Sequence, residues 1–203
     1  YPELEQKLSA YSNCKIIKSD ILKFEITEFL QAEKVTQKIK VIGNIPYYIS
    51  SPIIEHLINY RNSIGEVFMT VQKEFGRRVC AGPGSKEYGS FSCFAQYYAS
   101  CRILFEINRR CFKPVPKVDS SFLSLKFREK PAVKVDEEAA FFKLIRTAFN
   151  QRRKTLRNSL EGLLDRQELG MLLDSAGINR NVRPEDLSLE QFAKLTQKTQ
   201  KIS

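Results

Sequence analysis

Hydrophobic positions in the first two thirds of the chain alternate between the period of a helix and the period of a strand. Leu4, Leu8 and Tyr11 recur on one helical face, which predicts a helix over residues 2–11. The apolar run at residues 39–43 predicts a buried parallel strand. Alternation of this kind is typical of an α/β protein, in which helices cover a mostly parallel sheet.

The same alternation continues through the next ninety or so residues. Ser50 or Ser51 is expected to cap the helix that follows the strand at 39–43, with Pro52 in its first turn. Three glycines and a proline predict a loop over residues 81–90. The pattern predicts further strands at 14–17, 64–72, 101–108 and 121–127, the last closing the sheet, and further helices near 26–37, 50–60, 72–80 and 91–99.

The strand pattern stops near residue 130, and only helical periods follow. We therefore predict two domains, a Rossmann-like α/β domain over 1–130 and a small all-helical domain over 131–203. The helices are expected at 136–150, 152–164, 166–177 and 188–198.

Composition excludes several classes of protein. No window approaches the roughly 18 continuous apolar residues of a membrane helix, and the first residues do not resemble a signal peptide, so we expect no membrane association and a cytoplasmic location. The five cysteines form no C-x-x-C pair, and His56 is the single histidine. We therefore expect reduced thiols, no metal site and no histidine-dependent nucleophile.

The formal net charge of +10 favours a polyanionic partner. Nearly all of the excess lies in two segments, 102–117 and 146–157. A solvated basic face is the ordinary interpretation of such segments, but this concentration favours nucleic acid.

Two polar residues follow predicted strands, where α/β proteins bind their ligands. Asp20 could contact a nucleotide-like cofactor or simply cap a helix. After the next strand comes Asn44-Ile45-Pro46-Tyr47, in which the Asn44 side chain and the Pro46 carbonyl could accept both N–H bonds of an adenine amine while Tyr47 stacks on the base. A strand-to-helix connection with an incidental tyrosine is the alternative.

This stretch belongs to the first of four motifs along the chain: "NIPYYISSPI", "VQKEFGRRVCAGPGSKEYGSFSCFAQYY", "CFKPVPKVDSSFLSL" and "AFNQRRKTLRNSL". Together they resemble, in order, the ribosomal RNA adenine dimethyltransferases, a family of S-adenosylmethionine-dependent enzymes. The resemblance implies a Rossmann-like methyltransferase sheet with a helical C-terminal domain. It also implies dimethylation of two adjacent adenosines near the 3′ end of small-subunit (16S) ribosomal RNA during ribosome biogenesis.

The resemblance also implies roles for single residues. Asp20, with its neighbour Ile21, matches the part that contacts the cofactor adenine, and Asn44 matches the asparagine between the cofactor methyl group and the target amine. Tyr47 and Phe112 match the aromatic pair that holds the flipped adenine, although a core role for Phe112 is the alternative.

RNA binding is expected to use basic residues outside this pocket. We predict a basic helix with cations that meet phosphate on one face, although part of the cluster could brace the two domains. The other face carries an apolar stripe of Phe142, Ile145, Phe149, Leu156 and Leu160. The predicted RNA-binding residues are Lys113, Lys117, Arg152, Arg153, Lys154 and Arg157. The expected partner is the small-subunit RNA or the 30S pre-subunit, bound by a monomer.

The sequence departs from the family pattern at its start. It has no Gly-x-Gly loop after a first strand and no acid after a second, and it resembles a fragment that begins about one βαβ unit late. Weak or absent binding of S-adenosylmethionine, and hence an inactive fragment, is therefore expected. The alternatives are a large-subunit dimethyltransferase of the macrolide-resistance type, a non-catalytic RNA-binding assembly factor and, less favoured, a DNA adenine methyltransferase.

Overall fold

The computed structural model describes residues 2–151, 154–162 and 165–199. The chain divides into two compact units, Tyr1–Thr36 and Gln37–Ser203, which are described separately below. The predicted domain boundary near residue 130 stays a prediction.

The N-terminal unit contains two short helices, α1 (Pro2–Leu8) and α2 (Ile26–Ala32), and a single 3₁₀ turn at Ile21–Lys23. Both helices end earlier than the apolar pattern predicts. The predicted strand at 14–17 is wrong, because these residues form no strand. A strand needs a neighbour to pair with its backbone, and residues 2–36 contain no other strand.

Four strands of the larger unit form one mixed sheet. They are β1 (Ile39–Asn44), β2 (Ile64–Gln72), β3 (Ala99–Ile107) and β4 (Ser120–Phe127), in the order β1-β2-β4-β3. β1 runs parallel to β2, whereas β4 runs antiparallel to both β2 and β3. The sequence predicts all four strands, but β4 lies inside the sheet instead of closing it.

β1 departs from the prediction of a buried strand. Its residues alternate between half-buried and exposed, and Ile42 is 74% exposed. The physical reason is its position, because β2 is its only paired neighbour among the described strands. An apolar run therefore predicted the strand correctly and its burial wrongly.

Three helices connect the strands: α3 (Ser50–Asn59), α4 (Lys73–Cys80) and α5 (Ser90–Tyr98). The serine cap predicted for α3 is wrong, since the Ser50 hydroxyl donates to the carbonyl of Tyr47 instead of accepting from the helix. Gly76 lets α4 approach β4 closely, because a Cβ at this position would lie 3.1 Å from the Cβ of Ser121.

The remaining described residues are mainly helical, with α6 (Glu138–Phe149), α7 (Leu156–Ser159), α8 (Arg166–Ser175) and α9 (Leu189–Thr199). The continuous helix predicted over 152–164 is wrong. Within the described residues 154–162 only the four residues of α7 are α-helical, and Thr155 begins this turn by accepting a hydrogen bond from the Asn158 N–H at 3.4 Å. Leu156 and Leu160 are buried, so the apolar half of the pattern packs without a continuous helix.

The register of the sheet brings the important strand ends to one edge. Asn44, the last residue of β1, pairs with Thr70 near the end of β2. Ser120, the first residue of β4, pairs with Gln72 and with Ile107, the last residues of β2 and β3. The segments that follow β1, β2 and β3 therefore begin close together.

Candidate functional site

A cavity of about 260 Å³ lies at this edge of the sheet. Two segments that are far apart in the sequence line it, the turn after β1 and the connection between β3 and β4. The lining residues are Asn44, Ile45, Pro46, Tyr47, Phe112, Lys113, Pro114 and Pro116. All four residues predicted to hold the target base thus line one cavity.

Two hydrogen-bond acceptors lie on the β1 side of the cavity. Asn44 is exposed, and its side-chain amide has no hydrogen-bond partner among the described residues. The carbonyl of Pro46 accepts the Ile49 N–H at 3.3 Å, which leaves one lone pair unused. Pro46 has the extended backbone angles φ −62° and ψ 132°. The pair can therefore accept N–H groups from a ligand.

The hydroxyl of Tyr47 forms a hydrogen bond with a buried serine. Its hydroxyl is 2.6 Å from the Oγ of Ser120, which is fully buried at the start of β4. The ring itself is half-buried. This contact orients the ring and occupies the hydroxyl. Sequence reasoning missed Ser120, and the serine pair that opens β4 was the signal available.

Phe112 follows a short 3₁₀ turn, Arg109–Cys111, whose first two N–H groups are bound by side chains. The Asn108 side chain accepts from the Arg110 N–H at 2.9 Å, and the Asp119 carboxylate accepts from the Arg109 N–H at the same distance. Phe112 is half-buried, so part of its ring remains available to a ligand.

A second and larger cavity, of about 410 Å³, lies beside the stems of the β3–β4 connection. Its cationic lining residues are Lys73, Arg77, Arg109 and Lys117. Only Lys117 was predicted to bind RNA. The other three could not be selected from a sequence in which charged residues are common, because it is the register of β2, β3 and β4 that brings them together.

The other predicted RNA-binding residues have different surroundings. Lys113 and Lys154 are exposed. Arg157 is half-buried, and its Nε is buried without a hydrogen-bond partner among the described residues. Arg152 and Arg153 lie outside the described residues.

The predicted cofactor residues Asp20 and Ile21 belong to the N-terminal unit. One carboxylate oxygen of Asp20 accepts the Leu22 N–H at 3.0 Å and so caps the 3₁₀ turn, as the simpler interpretation predicts. Its second oxygen has no hydrogen-bond partner in the described part of the chain. A ligand amino group could use this oxygen without breaking the cap.

Two other kinds of feature do not occur in the described residues. No cluster of three or more His, Cys, Asp or Glu side chains suited to a metal ion occurs in residues 2–151, 154–162 and 165–199. In the same ranges, none of the helices is long and apolar enough to cross a bilayer.

Comparison with known proteins connects these features to a family. The family model described as ribosomal RNA adenine dimethylase matches residues 1–201. The ribosomal RNA small subunit methyltransferase A of Oceanobacillus iheyensis is 38% identical over 199 residues, which span 96% of this chain and 68% of the relative. The protein of the same name from Lachnoclostridium phytofermentans is 43% identical over 199 residues, with 96% and 69% covered.

Two solved structures share the fold. The 23S rRNA methyltransferase ErmE has a TM-score of 0.73 and 23% identity, with 98% of this chain and 77% of that chain covered. A dimethyladenosine transferase from Plasmodium falciparum has a TM-score of 0.80 and 22% identity, with 98% and 78% covered. These two matches confirm the Rossmann-like α/β class. The family model and the bacterial relatives show that this chain belongs to the ribosomal RNA adenine dimethylase family.

Proposed function

We propose that the protein dimethylates the N6 amines of two adjacent adenosines near the 3′ end of small-subunit ribosomal RNA during ribosome biogenesis. Membership of an rRNA adenine dimethylase family supports the reaction class. The observation that carries the assignment of the site is the cavity of about 260 Å³, in which Asn44, Pro46 and Tyr47 meet Phe112.

The chemistry of an adenine amine fits the acceptors of this cavity. The lone pair of the amine nitrogen is delocalised into the ring, so the nitrogen is a weak nucleophile. Acceptance of its N–H bonds by the Asn44 side chain and the Pro46 carbonyl would fix the amine and direct the lone pair outward. Positioning of this kind supplies up to about 7–11 kcal/mol in well-oriented reactions.

Aromatic faces supply the second part of the proposed site. A base that has left its stack loses contacts, and stacking on an aromatic side chain restores about 1–3 kcal/mol per base. Tyr47, oriented by Ser120, would contact one part of the adenine, and Phe112 would close on it from the β3–β4 connection.

The methyl donor implied by the family is S-adenosylmethionine, which supplies an electrophilic methyl group. Asp20, Ile21 and Asn44 are the residues proposed to hold it. The second carboxylate oxygen of Asp20 can accept an N–H bond, and the side-chain amide of Asn44 can donate or accept one. These 203 residues contain no glycine loop after a first strand, so we expect them to bind the donor weakly by themselves. Micromolar affinity by calorimetry would contradict that expectation.

Contacts with the RNA backbone are assigned to exposed cations. Lys113 and Lys117 flank the proposed base cavity, and Lys154 is exposed in the helical region. The roles of Arg152, Arg153 and Arg157 also stay proposals. We further expect a monomer that works in the cytoplasm, where ribosomal subunits are assembled.

Methylation of purified ribosomal subunits tests the proposal. The natural protein that contains this sequence is incubated with labelled S-adenosylmethionine and either small or large subunits, and the modified nucleotides are mapped. We expect label on two adjacent small-subunit adenosines and its loss in the Asn44→Ala variant. Modification of the large subunit alone, or small-subunit binding with no methyl transfer, would overturn the proposal.

A further inference from the structure

We propose that the larger cavity binds a backbone phosphate of the RNA, next to the nucleotide whose base enters the smaller cavity. This inference rests on the proposed function and adds a second, electrostatic subsite to it. Four cations from three segments carry the argument: Lys73 and Arg77 from α4, Arg109 from the 3₁₀ turn after β3, and Lys117 from the stem that leads into β4.

The three carboxylates that line this cavity keep their charge, but their hydrogen bonds go to groups other than the cationic side chains of the cavity. Three acids also line it, and each one already accepts a hydrogen bond from a protein group. Glu74 accepts from Arg78 at 2.9 Å, Glu87 from Ser85 at 2.8 Å, and Asp119 from the backbone N–H of Arg109 at 2.9 Å.

Two of the cations are not paired with a carboxylate of the described residues. Lys117 has no side-chain partner in the described part of the chain. Arg109 donates through Nη1 to the carbonyl of Lys117 at 3.1 Å, which orients the guanidinium and leaves most of its N–H donors unused. A phosphate oxygen is the acceptor that such a fork of donors fits best.

The other two cations share one counter-ion. Glu106 contacts Lys73 at 2.5 Å and Arg77 at 3.1 Å. The hydrogen bond from Lys73, and after it the bond from Arg77, lowers the pKa of the Glu106 carboxyl, so this group stays ionised at neutral pH. In the RNA-free protein Glu106 therefore holds the cations that a phosphate would otherwise contact.

The two cavities are joined by one connection. Phe112 borders the smaller cavity, and Arg109 borders the larger cavity one 3₁₀ turn earlier. One such turn rises about 6 Å, so a base beside Phe112 leaves its own backbone close to Arg109. Lys117 follows Pro116 directly, which repeats this relation on the other stem.

Removal of one cation tests the subsite, and removal of a lysine far from the cavity is the matched control. Lys117→Ala and Lys126→Ala each remove one exposed lysine, but Lys126 lies at the opposite end of β4, about 20 Å from Ser120. Affinity for a single-stranded RNA that contains two adjacent adenosines is measured by anisotropy at several salt concentrations. The slope of log affinity against log salt should fall by about 0.7 for Lys117→Ala and stay unchanged for Lys126→Ala.

Replacement of single RNA phosphates by an uncharged linkage shows which phosphate Lys117 contacts. A methylphosphonate is placed on either side of the adenosine, one position at a time. At one of the two positions Lys117→Ala should cause no further loss of affinity, because the charge it contacts is already gone. Equal slopes for the two lysine variants, or full additivity at both linkages, would overturn the proposal.

Removal of the Glu106 charge should strengthen RNA binding instead of weakening it. Glu106→Gln should tighten RNA binding severalfold, and more than Glu129→Gln does, because Glu129 is exposed and has no ion-pair partner among the described residues. Equal effects of these two changes would count against the subsite.

An RNA with an abasic nucleotide in place of the adenosine separates the two proposals. If the wild-type protein does not distinguish the two RNAs, the base site fails, while a lysine-specific slope change would still support the phosphate site.

Discussion

Two groups of aromatic residues in this protein have opposite surroundings. Tyr97, Tyr98, Phe141 and Phe142 pack edge-to-face or tilted, with ring centroids 4.8–5.9 Å apart, where α5 meets α6. Tyr47 and Phe112, which line the small cavity, contact no other aromatic ring among the described residues, and both remain half-buried. The first group fills space, whereas the second keeps ring surface available.

The hydroxyl groups of the tyrosines have partners in both groups, whereas the ring faces are covered only in the buried cluster. Tyr97 and Tyr98 both donate to the Glu138 carboxylate, at 3.1 Å and 2.5 Å, and burial raises the pKa of Tyr97 to about 12. Tyr47 also has its hydroxyl engaged, by Ser120, but its ring face is not covered. In the buried cluster both parts of each tyrosine have partners. In the cavity only the polar end does, which is the arrangement a stacking platform needs.

The largest expected effect is on the stability of the buried cluster. Phe141→Ala removes a fully buried ring and should lower the free energy of unfolding by about 3–5 kcal/mol. Urea denaturation followed by circular dichroism measures the change. A loss under about 1 kcal/mol would mean that the cluster is not part of the stabilising core.

Phe112→Ala should show the reverse pattern. Because the ring is half-buried, we expect the free energy of unfolding to change by less than about 1 kcal/mol. RNA affinity should fall by about 1–3 kcal/mol, but only for RNA that carries the target adenine. If the variant loses as much affinity for the abasic RNA as for the adenine-containing RNA, or if it unfolds, Phe112 belongs with the core residues.

The contact between Ser120 and Tyr47 should have a smaller effect that a double-mutant cycle can resolve. Ser120→Ala and Tyr47→Phe each remove one side of the 2.6 Å hydrogen bond and should each weaken adenine-dependent binding by about 1 kcal/mol. The double variant should be no weaker than either single one.

Ser121→Ala is the matched control for this cycle. Ser121 is the next residue and is equally buried, but its Oγ has no hydrogen-bond partner among the described residues. We expect no change in binding for this variant. An equal loss for the two serine variants would assign the effect to packing instead of to Tyr47.

The sequence predicted the elements whose pattern is strong and local. The strands at 64–72 and 121–127 are confirmed within one residue, because their apolar residues match buried positions of the sheet. The strand at 14–17 and the helix over 152–164 were wrong for a shared reason. Both predictions used local periodicity, while strand pairing and the helix start at Thr155 depend on the surroundings.

The same limit applies to the candidate site. Motif order identified the two segments that line the small cavity. Ser120, Lys73 and Arg109 were missed, because their importance depends on strand register and not on any pattern along the chain. Residues that orient a neighbouring side chain, or that line a cavity with residues distant in sequence, can be identified only from the three-dimensional structure.

The central claim is that the small cavity recognises the exocyclic amine of an adenine. The most direct measurement compares the affinity of the wild-type protein for one RNA with adenosine and one with purine riboside, which lacks only the amine, at the target position. We predict a loss of about tenfold for purine riboside, because an unmade hydrogen bond costs about 1–3 kcal/mol. The loss should become smaller in the Asn44→Ala variant, in which only the Pro46 carbonyl remains to accept from the amine. Equal affinities of the wild-type protein for the two RNAs would contradict the claim.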